Sequence, residues 1–378
     1  MVGVGNIAGE IGPGEPLIID GLTGKIIVNP TREEIERYRR LRREWRARFS
    51  ALGRLRTLPC ETRDGYLIDL SANIELPHEV PQVLAHGADG IGLFRTEFLY
   101  LSQDQLPTEE EQFKVYRSVL SRLNPRSVIF RTMDLGGDKF MSQITLSREL
   151  NPFLGLRGIR LCLQYPEIFK TQLRAILRAS HYGKARIMFP MITGLSEVRQ
   201  SKAILEEVKQ ELVAEGQPFD GGLEVGIMIE VPSAALSAEA LAKEVDFFSI
   251  GTNDLIQYTM AVDRVNEHVA HLYDPHHPSV LRLIREVAEC AHKHGIWAGL
   301  CGEMASDPDL ASLLAGMGID ELSMASSAIP QVKQRIRQVS IADLQELARD
   351  ALALSTSEEV RDMMAENIPA IVHIRKRR

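Results

Sequence analysis

The chain has 378 residues, 44% of them hydrophobic and 25% charged, which suits a soluble globular protein with one large α/β domain and an appendage. Its formal net charge of −7 argues against a general nucleic-acid binder. No apolar run is long enough for a bilayer and no basic-then-apolar leader opens the chain, so membrane insertion and secretion lack support and the cytoplasm is expected.

Residues 1–30 read as less than a domain. Leu17–Asp20 (LIID) and Lys25–Asn29 (KIIVN) are strand-like runs joined by Gly21-Leu22-Thr23-Gly24, a hairpin signal, and a lone hairpin is marginal in water. Pro30-Thr31-Arg32-Glu33-Glu34 then opens a helix, with Thr31 as N-cap and Glu34 closing a capping box. Ile35, Tyr38, Leu41, Trp45, Phe49 and Leu52 keep to one face. Arginines from Arg37 to Arg48 cover the other; offset by Glu33, Glu36 and Glu44, they read as a solvated face rather than a nucleic-acid patch. Pro59 is the expected stop, making residues 31–59 a linker helix and 60–378 the main domain.

From Cys60 onward, short apolar runs alternate with amphipathic stretches. Strands are expected at Tyr66–Ala72, Gly90–Phe94, Ser127–Phe130, Arg186–Phe189, Val225–Ile229, Phe247–Ile250, Trp297–Leu300 and Leu322–Met324. Helical patterns lie between them at Glu79–Ala88, Thr108–Leu123, Glu167–Ser180, Leu195–Ala214, Ser233–Lys243, Val280–His294 and Pro308–Met317. Eight βα alternations predict an α/β fold of the (β/α)8 TIM-barrel type, and no G-x-G-x-x-G follows a strand to favour a dinucleotide fold. The long segment after Ser127–Phe130 predicts an inserted loop and helix. Ile341–Leu354 and Thr356–Asn367 predict closing helices, with Ile374–Arg378 a frayed basic tail.

In such a barrel the chemistry sits where the strands end. Arg95-Thr96-Glu97 follow GIGLF, Arg131-Thr132-Met133-Asp134 follow SVIF, and Glu230-Val231-Pro232 follow VGIMI. Asn253-Asp254 follow FFSIG, and Cys301-Gly302-Glu303 follow WAGL. One or two such groups have a bland explanation as helix caps or buried ion pairs. Repetition at five strand ends predicts a site instead. Glu230 and Asp254, with room for water, suit a hard divalent ion such as Mg2+. Arg95, Arg131 and Arg264 offer planar donors for phosphate and carboxylate, so the ligand is expected to be small and multiply anionic. Phosphoryl transfer or enolate stabilisation fits this set.

Cys301 reads either as an acid that protonates a carbanionic carbon or as an inert buried thiol. The other cysteines (Cys60, Cys162, Cys290) show neither CxxC pairing nor ligand spacing, which suits a reducing compartment. Glu97 and Asp134 read as partners of the adjacent arginines in preference to metal ligands. Gly136-Gly137-Asp138-Lys139 lacks P-loop spacing, and His276-His277 reads as a surface turn before Pro278.

The segments DGLTGKIIVNP, GLFRTEFL, LPTEEEQF, RTMDLGGDK, NPFLGLR, RIMFPMI, EVDFFSIGTNDLIQYTMAVDR, HLYDPHHPSVL and CGEMA carry a resemblance over nearly the whole chain. It resembles the C-terminal part of the enzyme I family, the phosphoenolpyruvate–protein phosphotransferases of the bacterial sugar phosphotransferase system. The resemblance implies a cytoplasmic barrel that dimerises and binds phosphoenolpyruvate and Mg2+. Glu230 and Asp254 would hold the metal. Arg95, Arg131, Asn253 and Arg264 would grip phosphate and carboxylate beside Asp254, with Arg157 assisting, and Cys301 would protonate C3 of the enolate as pyruvate leaves. It also implies transfer to a histidine in a TSH segment of an N-terminal swivelling domain, and then to the carrier protein HPr. None of the ten histidines lies in such a segment, and residues 1–30 resemble only the tail of that domain, so an acceptor is expected to be missing. GTNDL also recurs in pyruvate-enolate aldolases. A metal-dependent lyase or aldolase and a non-catalytic phosphoenolpyruvate-sensing dimer therefore stand as alternatives.

Overall fold

A computed structural model describes residues 11–12, 14–21, 23–101, 105–136 and 150–373. The hairpin pairs β1 (Leu17–Asp20) with β2 (Lys25–Val28) antiparallel, in the register Leu17↔Val28 to Asp20↔Lys25. Eight parallel strands follow and close into a barrel: β3 (Asp69–Ile74), β4 (Gly90–Arg95), β5 (Val128–Arg131), β6 (Ala185–Phe189), β7 (Glu224–Ile229), β8 (Phe247–Ile250), β9 (Trp297–Leu300) and β10 (Glu321–Ala325). β10 closes on β3 with Glu321 opposite Asp69 and Ala325 opposite Asn73. The expected TIM barrel is therefore the architecture observed, with helices between the strands and the hairpin ahead of it. Among the described residues, no helix is long and apolar enough to cross a membrane.

Alternation along the strands, broken on β4 by a register shift between Ile91 and Phe94, divides the apolar residues into two layers. Leu70, Ala72, Ile74, Ile91, Phe94, Phe130, Ile187 and Phe189 face outward and join one continuous core with the surrounding helices. Leu93, Ile129, Met188, Met228, Phe247 and Cys301 face inward and fill the lumen. Phe247 stacks on Trp297 with centroids 4.5 Å apart and planes 7° from parallel. Gly226 on β7 makes room for this stack, since a Cβ there would meet the Phe247 ring at 2.5 Å.

The strand starts share a device. Asp89, Asp246 and Asp320 each stand one residue before a strand. Their amides donate to the carbonyls of Leu70, Val225 and Ala298 at 2.8, 2.9 and 2.8 Å. Their carboxylates accept from the amides of the same three residues at 3.0, 2.7 and 2.8 Å. Each aspartate thus adds a rung below the parallel ladder and satisfies an amide that would otherwise end it unpaired.

Several boundaries move from expectation. β3 starts at Asp69 rather than Tyr66, because residues 61–67 fold into a bridge, Glu61↔Leu67, around Gly65 at φ 88°. The linker helix runs over Arg32–Leu52 and gives way to a 3-10 turn at Gly53–Leu55, so Gly53 and not Pro59 ends it. On its apolar stripe Leu41 and Trp45 are 45% and 42% exposed, and the helix packs on the helix Ile329–Ile336. The helix expected over Ser233–Lys243 is two short ones, Pro232–Leu236 and Ala238–Leu241, parted at Ser237. His277 caps the helix Pro278–Lys293, accepting from the Ser279 amide. Gly137, Asp138, Lys139 and the tail Ile374–Arg378 lie outside the described residues.

Candidate active site

The C-terminal ends of the strands open on a cavity of about 270 Å³. Arg95, Arg131, Glu230, Asn253, Asp254, Arg264 and Cys301 all line it, so the residues picked from separate strand ends do meet. Chain geometry explains why. Arg95 and Arg131 are the last residues of β4 and β5, and Glu230 and Cys301 come one step after β7 and β9. Asn253 and Asp254 occupy the first turn of the helix Thr252–Met260, which begins two residues past β8. Ala261, at φ 53°, ends that helix and turns the chain so that Arg264 comes back over the cavity.

Three carboxylates form the centre. Asp134, Glu230 and Asp254 are all buried and present oxygens within 4.8 Å of one another, the one such group among the described residues. Glu230 Oε1 accepts from the Met191 amide at 2.6 Å. Burial first, and then the neighbouring Asp134 and Asp254 carboxylates, push Glu230 well above the usual carboxylate range. Hard oxygen donors crowded together out of water fit a divalent cation such as Mg2+, whose charge would relieve that repulsion.

Guanidinium groups surround the trio. Arg131 donates to Glu97 at 3.0 Å and pairs with Asp134 at 3.1 Å, while its Nε has no partner among the described residues. Arg157 forks onto Asp134 at 3.1 and 2.8 Å and reaches Asp254 at 3.2 Å. Arg264 stands 3.9 Å from Asp254 and 3.8 Å from Glu303. Arg95 turns aside and donates to Glu75 at 2.5 Å. Asn253 exchanges hydrogen bonds with Glu303, donating to its carboxylate at 3.3 Å and accepting from its amide at 2.9 Å. Cys301 is buried, with Sγ 3.8 Å from the Ile250 carbonyl, and burial pushes its thiol up to about 11. It is therefore a protonated thiol at neutral pH.

Residues 50–341 match the family described as PEP-utilising enzyme, PEP-binding domain. The chain belongs to this family. It is 48% identical over 97% of its length to the phosphoenolpyruvate-protein phosphotransferase of Staphylococcus carnosus (strain TM300). To that of Staphylococcus aureus (strain MSSA476) it is 49% identical over 96%. It spans 64% of the length of each. These likenesses bear out the resemblance to the enzyme I family. A citrate lyase beta subunit of M. tuberculosis, complexed with oxaloacetate and magnesium, overlays 70% of this chain and 95% of its own at a TM-score of 0.40 and 14% identity. That match is too loose to carry argument.

Within this PEP-binding domain, two groups gain weight over their sequence reading. Asp134 pairs with arginines, as expected, but also stands inside the acidic trio. Arg157, expected only to assist, is the most heavily bonded guanidinium in the cavity. The signal for Asp134 was its place three residues after Arg131. Arg157 had no such signal, because an isolated bridge between Gly136 and Arg157 is what brings it back beside Asp134. A second, wider cleft of about 840 Å³ lies between Trp45 and Leu52 of the linker helix and Gln331, Gln334 and Gln338 of the barrel. Glutamines, arginines and apolar groups line it, with neither acid nor thiol, so the chemistry belongs to the smaller cavity.

Proposed function

We propose that this chain is the phosphoenolpyruvate-binding half of a phosphoenolpyruvate–protein phosphotransferase, delivering phosphate to a histidine of another domain and then to HPr, with release of pyruvate. The observation that carries this reading is the meeting of Arg131, Arg264, Asn253, Glu230, Asp254 and Cys301 in one small cavity. Phosphoenolpyruvate offers a phosphate and a carboxylate close together, which matches several guanidiniums around one point. Arg131, whose Nε has no partner among the described residues, and Arg264, loosely held, offer donors for them. Asn253 orients the same anion beside Glu303. Glu230 and Asp254 would hold Mg2+, which supplies positive charge for an oxyanion. As phosphate leaves for the acceptor histidine, the electron pair of the breaking P–O bond forms the enolate. Its C3 then takes the Cys301 proton, giving pyruvate and a thiolate. The same reading includes a homodimer formed through the barrel, a cytoplasmic location and a place in sugar uptake.

Calorimetry tests the binding. Phosphoenolpyruvate is expected to bind in Mg2+ and to lose at least about tenfold in affinity when the ion is chelated. Absence of metal-dependent binding by the wild-type chain overturns the reading. Adding the separately expressed histidine domain of a relative is expected to give phosphohistidine and pyruvate, whereas a non-catalytic sensor gives neither. Steady pyruvate release from a C–C substrate without that domain would favour the lyase instead. Cys301→Ala is expected to keep binding and lose pyruvate formation.

A further inference from the structure

Arg157 is the rim cation whose position least suits a group waiting for an anion. Nε and Nη2 donate to both oxygens of Asp134, and Nη2 is shared with Asp254 at 3.2 Å. Nη1 donates to the Tyr258 hydroxyl at 3.3 Å, and Tyr258 donates in turn to the Phe153 carbonyl at 2.5 Å. The Phe153 ring lies 5.9 Å from the guanidinium carbon. Every nitrogen of this side chain has a protein partner, and one partner is an acid assigned above to the metal.

Three buried carboxylates within 4.8 Å of one another need positive charge among them. In this structure Arg157 supplies it, because its fork spans Asp134 and Asp254. We infer that Arg157 is a place-holder for the divalent cation: it occupies Asp254 until the ion arrives, and once displaced it turns the freed N–H of Nη2 to the phosphate-bearing ligand. A cation approaching Asp254 repels the guanidinium already there. Asp134 and Tyr258 keep the displaced side chain within the cavity, where Arg131 and Arg264 already face the anion's position. Cation and anion are thereby coupled through one residue, each raising the affinity of the other by the same factor. Only the anion half of this inference rests on the phosphoenolpyruvate reading.

The test titrates Mn2+ into the full chain by electron paramagnetic resonance, which counts free ion, with and without phosphoenolpyruvate. Arg157→Met is expected to bind Mn2+ alone roughly tenfold more tightly than wild type. In wild type, phosphoenolpyruvate is expected to tighten Mn2+ by the same factor of at least about ten, and in Arg157→Met most of that enhancement disappears. Arg157→Lys keeps a charge on Asp134, and with it the fold, but cannot fork to Asp254. Its affinity for Mn2+ alone is expected to fall between the other two. Unchanged or weakened Mn2+ binding in both variants means a static ion pair and overturns the proposal. No Mn2+ binding by any of the three chains overturns it outright. Phosphoenolpyruvate affinity on the same samples judges the substrate reading separately.

Discussion

The barrel carries acids at both ends and uses them in opposite ways. At the floor, Asp89, Asp246 and Asp320 take backbone amides of the neighbouring strands. Arg186 pairs there with Glu224, accepts the support of the Trp297 ring at 4.9 Å, and reaches the Ser127 hydroxyl at 3.2 Å. At the rim, Asp134, Glu230 and Asp254 crowd together, and Arg131 Nε, Thr132 Oγ1 and Thr252 Oγ1 have no partner among the described residues. The floor has closed its polar groups on the fold itself. The rim keeps surplus charge and open donors, which is what a ligand site requires and what stability alone would remove. If that contrast holds, floor substitutions act on stability and rim substitutions on binding.

The largest effect is expected from Phe247→Ala, which opens a void in the lumen beside Trp297. It should cost about 3–5 kcal/mol in urea unfolding, while the folded fraction still binds Mn2+. Loss of metal binding at full stability would break the division between the two ends.

Glu321, at the start of β10, is a floor acid that takes no amide among the described residues; the Ser71 hydroxyl donates to it at 3.1 Å. Burial, opposed by Arg186 and Ser71, pushes its carboxyl up from 4.5 to about 7. The sign follows from proton counts. Between pH 4.5 and 7 the unfolded chain gives up this proton and the folded chain keeps it, so folding stability falls as pH rises. The loss should reach on the order of 3 kcal/mol by neutral pH. Glu321→Gln has no such proton. Urea melts at pH 5 and pH 8 should show the variant gaining on wild type at the higher pH, and parallel curves would rule this account out.

The fold was legible for a physical reason. Parallel strands buried on both faces must be apolar runs, so β8 and β9 stand at their expected residues, Phe247–Ile250 and Trp297–Leu300. The rim was legible because charged residues one step past such runs have few other uses. Arg157 was legible only through the family resemblance, since its place depends on how an inserted segment returns. The end of the helix before the barrel moved for a related reason: Pro59 must stop a helix, but Gly53 can end it sooner.

Asp254→Asn sharpens the contrast from the rim side. It removes one oxygen charge from the trio and weakens the tie to Arg157. Metal-dependent phosphoenolpyruvate binding should fall about a hundredfold, since even groups that only support a ligand cost ten- to a hundredfold. Urea stability should stay within about 1 kcal/mol, because lost attraction to Arg157 is offset by relieved repulsion from Glu230. Unfolding on this substitution would make the trio a structural device like the floor.

The smallest effect separates Arg95 from the other rim arginines. Its guanidinium donates to Glu75, and the two side chains are 37% and 59% exposed, so the pair contributes little to stability. To grip an anion in the cavity, Arg95 must leave Glu75. Glu75→Ala removes the competitor and lets the guanidinium turn inward. Phosphoenolpyruvate affinity should then rise about two- to threefold while stability changes by less than about 0.5 kcal/mol. Arg95→Ala should abolish the gain in the double variant. If Glu75→Ala leaves affinity unchanged, Arg95 is a surface ion pair at the cavity mouth, and the anion is held by Arg131, Arg157 and Arg264 without it.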